Sequence, residues 1–362
     1  MRISYKNIKE EGMTKSKPLH YQLSTKNCWS HTLTKLDQQF DHSPHYHDGR
    51  FHNEHESEKK SGKYKLFKWL IGRDAKSWNI DIEREFNEIL AQSINMQPIK
   101  SSTDPKQWKV WFVGHATALI KIGPYNFLTD PVWSEYAGPK SGTGPKRVCP
   151  AGIALENLPP IHGVLLSHNH YDHMDIATLE WLHEQFQMPI YTGLGNSYYL
   201  PKHFHVIELD WWQSAYLDDF EIIYTPAQHG SGRGLRDQNQ ALWGSFCLRK
   251  DGQYLYFAGD TGYSTHFKEI HTRYGAPRVA LLPIGAYEPR ALMKYMHMNP
   301  YDALKAHMDL QAQRSIAIHY RTFQLTDEDR NQPEEVLEHA IEHASKLMNP
   351  FYCIHEGKKL IV

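Results

Sequence analysis

The densest chemistry in the chain lies in residues 164–175, Val-Leu-Leu-Ser-His-Asn-His-Tyr-Asp-His-Met-Asp. Apolar residues run into three histidines and an aspartate, which reads as a buried strand ending in a tight, ligand-bearing loop. Spacing is the reason. His168 and His170 are two apart, so on an extended backbone both imidazoles face one side and can grip one metal ion. Asp172 and His173 follow as the chain turns, within reach of a second position. Imidazole with carboxylate suits zinc, with iron or manganese as alternatives. The bland alternative is a surface loop in a chain with 24 histidines. A chance H-x-H-x-D-H directly behind an apolar strand is far rarer than a chance pair.

Three more apolar stretches finish in comparable side chains: 220–229 in His229, 254–260 in Asp260 and 315–319 in His319. Strand ends on one edge of a sheet lie side by side, so groups placed there converge although distant in sequence. With the first loop they total five histidines and two aspartates. That suffices for two metals sharing one carboxylate, with positions left for water and substrate.

The positioning elements follow from pattern. The globular part begins near Trp108. Residues 110–122 read as two strands around a tight Gly114-His115-Ala116 turn, and 125–131 as a third strand ending in Thr-Asp-Pro. A Gly- and Pro-rich loop spans 137–160. Asp175 is placed to cap a helix carrying Leu179, Leu182 and Phe186, and 189–193 is a short strand. A flexible Gly-rich loop covers 230–234, and Asp251-Gly252 joins two paired strands. A strand over 279–284 leads into the 285–297 loop. Asn299-Pro300 opens a helix, a polar helix runs over 333–348, and a last strand lies near the C-terminus.

Residues 1–62 are polar and lack sustained periodicity, so they are expected to form an extended arm, partly disordered or wrapped over a domain of residues 63–362. His42, His45, His47, His52 and His55 lie there, read as irregular, solvated histidines in preference to a metal-binding tract. Residues 63–73 place Phe67, Leu70 and Ile71 on one helical face with Lys65 and Lys68 away from it, and 81–91 reads as a polar helix. The 63–73 pattern fits an interfacial helix on lipid or one packed on the domain.

Composition bounds the rest. Of 362 residues 40% are apolar, with 21 Tyr, 14 Phe and 10 Trp, ample for a large core. The net charge of −1 and the lack of a basic stripe count against nucleic acid as partner. Cys28, Cys149, Cys247 and Cys353 are scattered, which suggests reduced thiols and a cytoplasmic protein. Neither a signal peptide nor a membrane span is visible, so any membrane contact is expected to be peripheral. A homodimer is the default for an oligomer.

The ordered ligand set resembles that of the metallo-β-lactamase superfamily. Within it, residues 105–325 are similar to the N-acyl-phosphatidylethanolamine-hydrolysing phospholipase D branch. The likeness is carried by 111–117 (WFVGHAT), 128–131 (LTDP), 144–147 (GPKR), 167–173 (SHNHYDH), 226–229 (PAQH), 258–263 (AGDTGY), 283–290 (PIGAYEPR) and 317–323 (AIHYRTF). It is weaker at 48–53 (DGRFHN). The resemblance implies an α/β protein of αββα four-layer architecture, two mixed β-sheets face to face with helices outside. It implies two zinc ions. His168, His170 and His229 would hold the first; Asp172, His173 and His319 would hold the second; Asp260 would bridge. Histidine rather than glutamate at 170 favours zinc.

The implied reaction is phospholipase D-type hydrolysis of N-acyl-phosphatidylethanolamine to N-acylethanolamine and phosphatidic acid, by hydroxide generated at the metals attacking phosphorus. Asp172 and Asp260 serve that catalysis, and His297 protonates the leaving oxygen or binds phosphate. Asp130 and His115 are expected to orient ligand imidazoles. Tyr171, Tyr287 and Arg290 are candidates to line the substrate pocket. A lipid groove would draw on Trp211, Trp212, Tyr198, Tyr199, Leu200 and residues 63–73. A lactonase of the same superfamily is the alternative, with a narrow polar pocket instead. A non-enzymatic scaffold is disfavoured by the complete ligand set.

Overall fold

The computed structural model describes residues 40–54, 69, 78, 82–97, 99, 104, 106–234, 236–344 and 349–362. A hairpin of β1 (Tyr46–His47) and β2 (Arg50–Phe51) comes first. Then follow β3 (Trp108–Gly114), β4 (Thr117–Ile122), β5 (Tyr125–Thr129), β6 (Gly163–Leu165), β7 (Ile190–Gly193) and β8 (Val206–Leu209). The second run is β9 (Ser214–Leu217), β10 (Phe220–Thr225), β11 (Ser245–Lys250), β12 (Gln253–Phe257), β13 (Val279–Pro283), β14 (Ser315–Ile318) and β15 (Phe351–Tyr352), before β16 (Lys359–Ile361). Two seven-stranded sheets result, ordered β16-β3-β4-β5-β6-β7-β8 and β15-β14-β13-β12-β11-β10-β9. Each sheet is mixed. From β5 to β8 and from β12 to β15 neighbours are parallel; the other neighbours are antiparallel.

Alternation along the first sheet explains the layering. Val110, Phe112, Ile120, Phe127, Leu165 and Tyr191 join the large core shared with Ile222, Leu248, Leu255 and Leu281 of the second sheet. Their neighbours Trp111, Val113, Leu119, Leu128, Val164 and Ile190 face the other way. There they pack with Leu179 and Leu182 of α2 (Ile176–Phe186). With both faces covered, these strands read as apolar runs. On the second sheet, α3 (His266–Tyr274) and α5 (Pro300–Leu310) contribute Phe267, Ile270, Ala303 and Leu310 to the core, and α6 (Gln332–Glu342) contributes Leu337 and Ala340. The architecture is therefore αββα, as expected. Burying each large apolar side chain contributes roughly 1.5–3 kcal/mol. Among the described residues, no helix is long and apolar enough to cross a membrane.

Several local expectations need correction. Asp175 occupies the N-cap of α2, but its carboxylate bonds no helix N–H. It accepts instead from the backbone of Trp133 and Ser134 and from the Ser134 and Thr178 hydroxyls, tying the chain just after β5 to the helix. The edge strands β8 and β9 and helix α3 carry no clear sequence signal. Both strands lie at sheet ends with mostly half-buried side chains, so their alternation is weak. The 285–297 loop contains a short helix, α4 (Arg290–Met293). The C-terminus holds two strands, one in each sheet. At Asn299 the capping box is complete, with Asp302 N–H donating to Asn299 Oδ1 at 2.8 Å. Cys149, Cys247 and Cys353 are free thiols, and Cys28 lies outside the described residues. Residues 63–73 also lie outside them except Trp69, whose indole donates to Asp327.

Helix α1 (Ile82–Ile94) is tied to the loop after β14 by charge. The Glu85 carboxylate accepts from both terminal nitrogens of Arg330 and from Arg321. Arg330 is almost wholly buried. Hydrogen bonding to Arg330 holds the Glu85 pKa below its ordinary value of 4.5. A depressed folded pKa gives stability that is full above 4.5 and lost as pH falls through the folded value. Glu85→Gln is therefore expected to lower stability at pH 7 by about 1–3 kcal/mol, between the values for exposed and buried ion pairs, and Tm with it. The gap to the parent protein should narrow as melts are taken progressively below pH 4.5. A gap of constant size across that range would show that the charge contributes nothing.

Candidate metal centre

The site lies where strand ends from both sheets meet. The β3–β4 turn supplies His115, the end of β5 Asp130, and the end of β6 the stretch Ser167 to His173. From the second sheet come His229 after β10, Asp260 after β12 and His319 after β14. His115, Asp130 and His319 have left-handed backbone, with φ of 57°, 29° and 62°. Such conformations in non-glycine residues cost about 1–3 kcal/mol each and persist only where the surroundings impose them. Two glycines allow the close approach. A Cβ on Gly259 would lie 2.6 Å from Ser167 Cβ, and one on Gly285 2.1 Å from the His319 carbonyl oxygen.

Three imidazoles form one cluster. His168 Nε2 is 2.8 Å and His229 Nε2 3.2 Å from His170 Nδ1. Nitrogens bound tetrahedrally at 2.0–2.1 Å would be about 3.3 Å apart, so this spacing suits ligands around one centre. Burial, aided by neighbouring imidazoles, holds His168 and His229 well below the ordinary histidine pKa, and burial also lowers His170. The cluster is thus neutral near pH 7, with lone pairs free to donate.

The second cluster is built on carboxylates. Asp172 Oδ2 lies 3.4 Å from His173 Nε2, 3.3 Å from His319 Nε2 and 2.9 Å from His115 Nε2. Asp260 Oδ2 lies 3.1 Å from both His173 Nε2 and His319 Nε2, and 3.8 Å from His229 Nε2 of the first cluster. Asp260 Oδ1 is buried without a hydrogen bond, and His319 Nε2 is close to both carboxylates without hydrogen-bond alignment. Burial opposes charge on His173 and His319, but the carboxylates outweigh it. His173 is raised well above its ordinary pKa and His319 to about 9. Asp172 and Asp260 stay well below theirs against the same burial, held by His173. This half of the site therefore stabilises positive charge. Neutral nitrogen donors on one side, paired carboxylates on the other and an orphaned oxygen between them fit divalent metal ions.

Partners fix which nitrogen each ring presents. Asp130 Oδ2 accepts from His173 Nδ1 and from the Ser167 hydroxyl, both at 2.6 Å, while Oδ1 accepts from Ser167 N–H at 2.7 Å. Ser167 Oγ in turn accepts from His168 Nδ1 at 2.9 Å. His229 Nδ1 donates to the Met296 carbonyl at 2.8 Å. All three rings consequently turn Nε2 toward the centre. Tyr224, from the core, donates to the Ser167 carbonyl at 2.8 Å and anchors the start of the loop.

Other expected residues fall less uniformly. Asp130 accepts from the His173 imidazole, whereas His115 contacts the Asp172 carboxylate. Burial pushes His115 down to about 3. His297 sits beside the clusters, Nδ1 3.8 Å from Asp260 Oδ2, and burial lowers it to about 4. Arg290 is committed to the protein, donating to the His297 carbonyl at 2.8 Å and to Asp302 at 2.6 Å. The Tyr171 hydroxyl donates to the Arg233 carbonyl at 2.7 Å, and that guanidinium stacks 4.0 Å above the Tyr171 ring. Tyr287 is buried. The 230–234 loop is held, with Gly232 N–H on Asn169 Oδ1 and the Arg233 guanidinium on the Asn169 and Met174 carbonyls.

Among the described residues, the lipid-groove candidates do not form one surface. Trp211 is buried in the core between the sheets, and Leu200 on the opposite face of the first sheet. Trp212 stacks under Arg273, and Tyr198 and Tyr199 pack edge to face. A lipid substrate calls for a groove, but packing claims Trp211 and Leu200 for the two cores. Sequence reasoning gave no role to Ser167, Met296 or Asn53. Ser167 had a signal, its place directly before His168; a backbone carbonyl such as that of Met296 leaves none.

Residues 125–320 match the Beta-lactamase superfamily domain. The chain is 32% identical over 277 residues to the N-acyl-phosphatidylethanolamine-hydrolyzing phospholipase D 1 of Caenorhabditis elegans, covering 73% of this chain and 77% of that one. It is 39% identical over 235 residues to an uncharacterized protein of Mycobacterium tuberculosis, and there the match spans 63% of this chain and 62% of the relative. Among solved structures, Igni18, a metallo hydrolase of Ignicoccus hospitalis, superposes with a TM-score of 0.53 at 25% identity, covering 71% of this chain and 99% of that one.

The Ser167 hydroxyl links His168 to Asp130, so Ser167→Ala should weaken metal binding about 10–100-fold. Thermal stability should change little, and Ser167→Thr should recover most of the affinity. Competition against a chromophoric chelator reads the constant. Parent-like affinity in Ser167→Ala would mean that the hydroxyl does not orient the ring.

Proposed function

The chain belongs to the Beta-lactamase superfamily, and from that premise we propose a metal-dependent phosphodiesterase acting on N-acyl-phosphatidylethanolamine. The products are N-acylethanolamine and phosphatidic acid. One observation carries the reading: Asp260 Oδ2 stands within 3.1–3.8 Å of His173, His319 and His229, between a histidine cluster and a carboxylate cluster. His168, His170 and His229 would hold one ion in this reading and Asp172, His173 and His319 another, with Asp260 a candidate ligand to either. Zinc suits this donor set, rich in neutral imidazole and carrying His170 where a harder carboxylate would favour iron. Bound metal supplies Lewis acidity toward the phosphate oxygens and lowers the pKa of water.

The chain's own residues do the rest. Asp130 and Ser167 keep the rings of His173 and His168 in register, so no reorganisation is needed as charge develops. His297, neutral near pH 7, offers a hydrogen bond to a phosphate or leaving oxygen, while Arg290 holds its loop by the carbonyl. The substrate class is supported by the C. elegans relative, whose name gives that activity. A phospholipid substrate requires peripheral membrane contact. Met296, partly exposed and next to His297, is suitably placed to meet the acyl region.

Zinc-loaded protein should cleave N-acyl-phosphatidylethanolamine faster than a lactone panel or a generic phosphodiester assayed side by side. In heavy-oxygen water the label should appear in phosphatidic acid; label in the ethanolamide hydroxyl would contradict attack at phosphorus. Turnover of lactones alone would replace the reading. Asp260→Asn should lose metal and activity together, and a fully active, metal-loaded variant would remove its shared role.

A further inference from the structure

The superfamily match covers residues 125–320, yet a segment far upstream holds one wall of the site. The β1–β2 hairpin turns at Asp48-Gly49, both left-handed with φ of 55° and 72°. It buries Phe51 completely in the core beside Phe40. Phe51 N–H donates to the Asn239 carbonyl at 2.8 Å, and Arg50 bonds the Gln238 carbonyl. This seating brings Asn53 onto His229. Asn53 Nδ2 donates to the His229 carbonyl at 2.9 Å, and Asn53 Oδ1 accepts from His229 N–H at 3.1 Å. The Trp243 indole also donates to Oδ1 at 3.1 Å. An indole N–H can only donate, so it fixes which end of the amide is oxygen. His229 lies beyond the end of β10, in chain that belongs to no strand. One side-chain amide therefore satisfies both backbone polar groups of a residue that no ladder holds.

We propose that Asn53 is a positioning residue for the histidine cluster, and that the N-terminal hairpin is thereby a working part of the site. Asn53 sets the His229 peptide while Met296 sets the ring, and together they place Nε2 at 3.2 Å from His170. This rests on the reading that His168, His170 and His229 hold a metal ion.

The test uses the full chain and zinc as probe, with site-resolved affinities from chelator competition and bound zinc counted by elemental analysis. Asn53→Ala should weaken one of two zinc sites about 10–100-fold and leave the other unchanged. Asn53→Asp keeps the acceptor and loses the donor, so it should fall between. Gly49→Ala strains the left-handed turn without touching the amide, as nothing lies within 4 Å of the added Cβ; it should lower Tm and spare zinc affinity. Zinc loss from both sites in Asn53→Ala, with a fall in Tm matching that of Gly49→Ala, would reduce the effect to general stability and overturn the proposal. Parent-like affinity in Asn53→Ala, with His229→Ala losing one zinc, would overturn the proposal alone. His229→Ala retaining both ions would remove the metal reading and this inference with it.

Discussion

Two carboxylates, Asp172 and Asp260, are buried at the edge where the sheets meet. Removing a charge from water costs several kcal/mol per ion unless opposite charge and hydrogen bonds compensate. Here the compensation comes from imidazoles approaching within 3.1–3.4 Å. The rest of the site follows from that need. His173 and His319 must lie between the two carboxylates, Asp130 must turn the His173 ring, and each strand must stop where its side chain reaches the shared centre. A site that stabilises positive charge on one side and keeps neutral donors on the other is electrostatically suited to divalent metal.

The scaffold meets this need through strand termini. A β-strand offers side chains alternately to two faces, and both faces of these sheets are filled with apolar groups. Only beyond the last ladder bond can the backbone leave the alternation. At His115, Asp130 and His319 it does so through left-handed conformations, held by hydrogen bonds such as His319 N–H to the His115 carbonyl at 2.7 Å. That bond crosses from one sheet to the other, so the strained turns of the two halves support each other.

The described residues 40–54 and helix α1 are anchored to the domain by a few side chains. Phe40 and Phe51 are buried, Asn53 reaches His229, and Glu85 pairs with Arg321, two residues past His319. Polar residues around a few anchors give no periodic signal, since an arm laid over a domain buries single side chains and not a face.

Within the sequence alone, the β-strands with both faces buried were readable because their apolar runs are bounded by turns: β3 to β7, β10 to β14, and the Asp251-Gly252 hairpin. So was the list of side chains able to bind metal, because residue type and the order of strand ends carry it. Tertiary structure decided what pairwise distance controls. It placed the seven side chains in two adjoining clusters, made His115 a partner of Asp172, and tied Arg290 to Asp302. It moved Trp211 and Leu200 from a supposed groove into separate cores. The physical reason is range. Backbone preference and periodicity act over a few residues, whereas a 3 Å contact between Asn53 and His229, 176 residues apart, exists only once the chain has packed.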